Sequence, residues 1–471
     1  MGCTGASKPK SSRKVSQDTS VIMGEFKHGR LQNFEFKKVL GHGKYGQVFL
    51  ATSSESGQLV AIKAIRKSVS DFSTEQLTKE IDILSQVDHP NIVKYIEHFQ
   101  TDKYLFIVME YCAGGDLFDK IVKCGKLGEC EAAALMAEIL RAVNHCHHLG
   151  LIHRDLKPEN LMYSKEGLIK LIDFGLSMRD KAFSEERIAG TAYYIAPEIL
   201  RDEIFTKACD IWSLGIILHI LLTGNIPIVG HTHDEIYDSI LSYQGPTFSG
   251  EVWTGVSEEA KDLLRRMLEP VHTKRITAAD ALNHPWFQLN KEEHAGAKPW
   301  IIQSLKEYSG YSKLKKKALN LLVQNMDELD IKRLQDAFIE LDEDHTGLIT
   351  CSDLKACLKN EGYDMTAEEL ESLTRRVNYN GDGYINYTDF LAATLSTKLF
   401  LTEEKMWSVF RTLDVGKKGC ITEQDLKTAL GKRKRLQSIE LEGIMKDTDR
   451  DHDGKITFEE FKWIFRDELV L

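Results

Sequence analysis

The chain has 471 residues, 42% hydrophobic and 28% charged, with 61 basic residues against 71 acidic ones and a net charge of −10. That length gives room for two or three domains, and the composition is ordinary for a soluble globular protein. The acidic balance argues against a bulk nucleic-acid binder, so no nucleic-acid partner is expected. Nine cysteines without a C-x-x-C pair or metal spacing suit a reducing, intracellular compartment. The longest apolar run, Leu214 to Leu222, is broken by His219 and falls short of a membrane span.

Residues 1–33 are rich in Ser, Lys and Gly and read as a disordered leader. Met1-Gly2-Cys3-Thr4-Gly5-Ala6 approaches a myristoylation signal, with Ala6 where the strict form has Ser or Thr. One acyl chain binds membranes marginally. Palmitate on Cys3 and the charges of Lys8, Lys10, Arg13 and Lys14 would strengthen the hold. The expectation is a cytoplasmic protein attached to the cytoplasmic face of a membrane through Gly2 and Cys3.

Over 34–287, short β-rich runs (Phe34–Leu40, Val48–Ala51, Val60–Ile65, Leu105–Met109) precede helical periodicity such as Glu131–Leu149. That order fits an α+β domain with a small sheet-rich lobe and a larger helical one. Gly41, Gly43, Gly46 and Val48 form G-x-G-x-x-G-x-V between two strands. Glycines let backbone approach phosphates where a Cβ would clash, and a following strand, not a helix, disfavours a dinucleotide site. Val60-Ala61-Ile62-Lys63 places Lys63 against the α and β phosphates, with Glu80 as the carboxylate that holds it. In His153-Arg154-Asp155-Leu156-Lys157-Pro158-Glu159-Asn160, Asp155 fits a base, Lys157 neutralises charge on a moving phosphoryl group, and Asn160 fits a Mg²⁺ ligand. Asp173-Phe174-Gly175 supplies a second metal ligand, and the segment to Ala196-Pro197-Glu198 would hold a substrate peptide. Any one string could arise by chance. Their joint order and spacing point to phosphoryl transfer from ATP with Mg²⁺.

These motifs resemble the eukaryotic protein kinases across 34–287, a bilobal fold, and Lys157 with Gly190-Thr191 looks like the serine/threonine branch. The resemblance implies that Leu40, Val48 and Ala61 line the nucleotide site. It places Met109 behind the adenine, Glu110 to Cys112 at the hinge and Met162 on the floor. It further implies that Glu198 pairs with Arg275 and that Asp116 and Glu159 face a substrate with basic residues before its target hydroxyl. Ser184-Glu185-Glu186 in the activation segment could stand in part for a phosphate opposite Arg154, or be solvated acids.

Residues 288–330 read as a junction. Leu314, Ala318, Leu321, Leu322 and Met326 share one helical face, with Lys313, Lys315, Lys316 and Lys317 largely opposite. Such a basic amphipathic helix can be gripped by an EF-hand lobe or occupy an acid-lined cleft; the plainer reading is a packed connector.

From Ile331 a helix–loop–helix unit recurs every 35 or 36 residues, with loops opening at Asp342, Asn378, Asp414 and Asp449. Four such units make an all-α region of two paired EF-hand lobes, 331–400 and 401–471. The fourth loop meets every calcium-ligand demand with Asp449, Asp451, Asp453, the Lys455 carbonyl and Glu460. The first, with Asp342, Asp344, Thr346 and Asp353, ends on an aspartate that reaches bidentate geometry less easily. The second, with Asn378, Asn380, Asp382 and Asp389, has lost a charge at its first position and is expected to bind weakly. In the third (Asp414, Gly416, Asp425), Lys418 puts an ammonium where an oxygen belongs, so an empty structural loop is expected.

With junction and hands in place, nearly the whole chain resembles the calcium-dependent protein kinases of plants and protists: kinase domain, autoinhibitory junction and four EF-hands. The resemblance implies a monomeric, calcium-activated serine/threonine kinase of protein substrates that uses ATP, Mg²⁺ and Ca²⁺. In it the junction helix would exchange between the cleft and the EF-hand lobes. A scaffold with an inactive kinase fold, and a kinase needing external calmodulin, are the competing readings. Intact Lys63, Asp155, Asn160 and Asp173 argue against the first.

Overall fold

The computed structural model describes residues 29–43, 46–54, 56–67, 81–179, 191–201, 205–288, 299–324, 326, 328–361, 365–378, 382–395, 402–430 and 438–465. These fall into two compact units.

The first unit is a five-stranded sheet in the order β1-β2-β3-β5-β4: β1 Phe34–Gly43, β2 Gly46–Ser53, β3 Leu59–Arg66, β4 Tyr95–Gln100, β5 Tyr104–Glu110. β1, β2, β3 and β5 pair antiparallel, and alternation along them separates two faces. Phe34, Phe49, Ala51, Val60, Ile62, Ala64, Phe106 and Val108 form an apolar core. The opposite face carries Val48 beside Lys63 and Ala61 beside Met109. Leu31, in a 3₁₀ turn over Gly29–Asn33, is buried in the same core. The ordered chain therefore starts before Phe34, a correction to the leader expected over 1–33; the rest of that leader lies outside the described residues. The strand of this sheet not anticipated, β4, is an edge strand with no buried side chain, four half-buried and Ile96 and Gln100 exposed, so it lacks the alternation that marks a strand.

The second unit holds a helical lobe followed by the junction and the hands. Its long helix, Glu129–His148, lies within two residues of the span read from periodicity. The apolar run at Leu214 belongs to the helix Ala208–Thr223, which is buried on almost every side and stopped by Gly224 in the left-handed region (φ 75°). Among the described residues no helix is long and apolar enough to cross a membrane. A buried bidentate pair ties the lobe together: Arg275 donates to the two Glu198 oxygens at 2.6 and 2.9 Å, as the resemblance implied.

Two junction helices, Pro299–Ser309 and Lys313–Gln324, precede the hands. The hands pair through two-residue ladders, Leu348–Ile349 with Ile385–Asn386 and Ile421–Thr422 with Lys455–Ile456. One apolar cluster runs through Leu314, Ala318, Leu319, Leu322 and Val323 of the second junction helix into Phe338 and Phe390 of the first lobe and Phe410 and Phe461 of the second. Both lobes thus share a core whose centre is the junction helix.

That arrangement corrects the expected placement of the lysines. Lys315 and Lys316 are buried, as are Leu319 and Val323, while Leu321 is only partly so and Met326 lies past the helix end. With a lobe on either side, the helix keeps no broad solvated face. Its cations are satisfied locally: Lys315 lies 3.8 Å from the Tyr311 ring centroid, and Lys316 donates to the Ser309 and Arg376 carbonyls at 3.2 and 2.5 Å.

Candidate active site and calcium loops

In the first unit, Lys63 is 8% exposed on β3, on the sheet face that also carries Val48, Ala61 and Met109. The glycines before it do different work. A Cβ on Gly41 would meet nothing, leaving that backbone open to a ligand, whereas one on Gly46 would run into the Ala64 carbonyl across the sheet. The last glycine is thus demanded by strand packing as well as by phosphate. Leu40 and Gly43 lie on β1 and Glu110 ends β5. Glu80, the activation-segment residues Ser184–Glu186 and Gly190, Asn380, Gly2 and Cys3 lie outside the described residues.

In the second unit, the catalytic loop is held from behind by one buried carboxylate. Asp210, on Ala208–Thr223, accepts from the backbone amides of His153 and Arg154 at 2.9 Å each and contacts His147 Nε2 at 2.9 Å. Burial alone would raise its pKa, but the bond and charge of His147 and the His153 amide hold it below the usual carboxylate range. This anchoring matters because Arg154 takes a left-handed backbone (φ 71°) that needs external support. The role of Asp210 as anchor rests on contacts 57 and 56 residues away along the chain, which no local pattern signals.

On that loop Lys157 Nζ donates to Asp155 Oδ2 at 2.7 Å and to Thr191 Oγ1 at 3.1 Å. Asn160 Nδ2 donates to the Asp155 carbonyl and carboxylate at 2.8 and 2.9 Å. The Asn160 amide nitrogen is therefore spent on Asp155, and its oxygen is the atom left for a cation. Asp173 is exposed, while Phe174 behind it is buried edge-on against His153 at 5.1 Å. Asp155 as base, Lys157 beside it, and Asn160 and Asp173 as oxygen donors fit a Mg²⁺–ATP phosphoryl-transfer site. In the second unit Cys112 is buried and Met162 half-buried, with Met162 bridging to Asp116. Asp116 caps the helix Leu117–Cys124, and Glu159 is exposed.

The fourth loop fits calcium on its own geometry. Ligand oxygens of Asp449, Asp451 and Asp453 lie within 4.8 Å of one another, and Asp449 Oδ1 is buried with no hydrogen-bond partner among the described residues. Glu460 turns inward, taking the Thr457 amide and hydroxyl at 2.8 Å each and the Arg450 amide at 2.8 Å. The first loop gathers Asp342, Asp353 and Thr346 around buried carboxylates, Asp342 accepting from the Thr346 and Gly347 amides at 2.9 and 2.8 Å. Burial, proximity to Asp344 and the charge of Asp353 push Asp342 up to about 8, a crowding that a divalent cation would relieve. In the third loop Lys418 Nζ stands 3.9 Å from Asp425 Oδ2, a resident cation in the ion's place. In the second, Asn378 Nδ2 donates to the Tyr384 carbonyl at 2.6 Å, and Asp389 accepts from Asn320 of the junction helix at 2.8 Å.

A contact that the sequence did not signal joins the first lobe to the helical lobe. Asn144 Nδ2 donates to the His345 carbonyl at 2.6 Å, and His145 Nδ1 to the Thr346 carbonyl at 2.8 Å. Asp88 accepts from the Thr388 amide and hydroxyl at 3.0 and 2.8 Å. Gly347, already left-handed, could carry no Cβ against the His145 ring.

The protein kinase domain profile matches residues 34–287, and the EF-hand domain pair profile matches 331–395 and 403–466. Calcium-dependent protein kinase 19 of Oryza sativa subsp. japonica is 37% identical over 91% of this chain and 81% of its own length. The chain belongs to the calcium-dependent protein kinase family. Calcium-dependent protein kinase 9 of Arabidopsis thaliana is 36% identical over 96% of this chain and 84% of its own. Calcium-dependent protein kinase 3 of Plasmodium berghei (strain Anka) is 35% identical over 92% and 80%. As a calcium-dependent protein kinase, the chain is a calcium-activated serine/threonine phosphotransferase that uses ATP, Mg²⁺ and Ca²⁺.

Proposed function

We propose that this kinase phosphorylates Ser or Thr preceded by basic residues, and that its junction helix inhibits it when not enclosed by both lobes of the hands together. The observation that carries the second part is the burial of Lys315 and Lys316, with Leu314, Ala318 and Leu322, in the core shared by both lobes. A helix so enclosed cannot at the same time lie in a substrate cleft, and it offers little face to an external calmodulin. The preference for basic residues rests on Glu159 and Asp116 beside the catalytic loop. We further propose that the protein acts as a monomer on the cytoplasmic face of a membrane, carried by acyl groups on Gly2 and Cys3.

The test uses the full chain with Mg-ATP and a peptide carrying Arg or Lys before its target hydroxyl. Phosphate incorporation is expected with calcium and without added calmodulin, falling at least tenfold in chelator and with a peptide whose basic residues are neutral. Equal rates with both peptides would remove the substrate preference, and equal rates with calcium and chelator would remove the inhibitory role. Asp155→Asn should lower turnover by about 10² to 10⁴, the range for loss of a general base. Gly2→Ala should move the protein from membrane to soluble fractions; an unchanged distribution would contradict acyl anchoring.

A further inference from the structure

The four hands end their loops in two ways. In the first, third and fourth, the position-12 carboxylate (Asp353, Asp425, Glu460) folds back to accept the amide and hydroxyl of the position-9 threonine. In the second, position 9 is Asn386, which caps the Asp389 amide at 2.8 Å, and an oxygen of Asp389 is taken by Asn320 Nδ2 at 2.8 Å. Asn320 is itself oriented by the Tyr308 hydroxyl, which donates to its oxygen at 3.3 Å.

The other end of the same loop is held by the same helix. Lys316, one turn before Asn320, donates to the carbonyl of Arg376 at 2.5 Å. That carbonyl lies in the last turn of the helix Ala367–Val377, which leads into the loop, where a cation meets the negative end of the helix dipole. Lys316 also lies within electrostatic reach of Asp389, whose charge offsets part of its burial. Inside the loop, the position-1 side chain and the position-7 carbonyl, both ion ligands in an ordinary hand, are bonded to each other as Asn378 Nδ2 to Tyr384 O. Asn320, Asn378 and Asp389 are all buried.

We propose that the second EF-hand is a calcium-independent latch on the junction helix, with Lys316, Asn320 and the Asn378 amide doing the work an ion does in an ordinary hand. The i, i+4 spacing of Lys316 and Asn320 puts both on one face of the helix, so a single element brackets the loop from entry to exit. The first and fourth loops then carry the calcium response, and the second keeps the helix attached between calcium pulses. This rests on the reading of the junction helix as the switch.

A reciprocal exchange tests it on the full chain. Asn320→Asp faces two carboxylates at the latch. Asn320→Asp with Asp389→Asn restores an amide–carboxylate bond while removing the charge that a calcium site would need. In chelator, trypsin should cleave at Lys313–Lys317 about tenfold faster in Asn320→Asp than in wild type, with the double variant returned to the wild-type rate; the factor is what loss of one buried hydrogen bond implies. The half-activating calcium concentration should rise by a similar factor and return in the same way. Asp389→Asn alone should leave the number of bound calcium ions unchanged in equilibrium dialysis. Loss of one ion in Asp389→Asn, a double variant no better than Asn320→Asp, or a wild-type cleavage rate in Asn320→Asp would each overturn the latch. Cleavage and dialysis do not depend on activation, so they decide the latch even if wild type responds to calcium differently from the switch reading.

Discussion

The second and fourth EF-hands share a twelve-residue frame, a left-handed glycine at position 6 and a two-residue ladder to a neighbour. They differ in what their position-1 and position-12 side chains do. In the fourth, Asp449 keeps a buried oxygen with no partner among the described residues, and Glu460 folds into the loop. In the second, Asn378 is bonded within the loop and Asp389 reaches the junction helix. One frame is thus left open to an ion and the other is closed by the chain, so a count of hands in the sequence need not equal the count of sensors.

The largest test of that contrast is Glu460→Gln. It removes one charge from the best-formed loop, and affinity falls with ligand charge, so half-activating calcium should rise by about tenfold or more in a kinase titration. An unchanged titration would place the response elsewhere. Next, Gly416→Asp with Lys418→Asp should turn the third loop into a site. Removing Lys418 clears the atoms that a Cβ on Gly416 would meet, leaving Asp425 Oδ1 at 3.2 Å, and dialysis should count one additional ion.

A smaller effect concerns protons at the first loop. With Asp342 raised from 3.8 to about 8 by burial and its acidic neighbours, the calcium-free loop holds a proton at pH 7. Calcium should displace about one proton, seen as a buffer-dependent binding heat in calorimetry. By the same shift, the folded chain binds a proton that the unfolded chain does not between pH 3.8 and about 8. The calcium-free sensor should therefore lose stability as pH rises through that window. Binding heats that are the same in buffers of different ionisation enthalpy would contradict it.

What the sequence disclosed follows from how local each feature is. The catalytic loop, Asp173 and the calcium ligands lie in short strings whose spacing the chemistry dictates, and the structure brings Asp155, Lys157 and Asn160 into one hydrogen-bonded group. The pairing of Glu198 with Arg275 came from the resemblance and lies buried where it was placed. The junction lysines were misplaced because amphipathicity assumes one buried face, and this helix is closed in by two lobes. Asn320 with Asp389, and Asn144 and His145 with the first loop, stand 69 and 201 residues apart. The latter pair uses backbone carbonyls that any residue would supply, so no pattern along the chain could signal it.

The most direct measurement is equilibrium dialysis of the full chain against calcium, run beside peptide phosphorylation on the same samples. The account predicts two ions bound at saturation, in the first and fourth loops, with activity rising as they bind. Four ions bound, or activity that rises before either site fills, would contradict it.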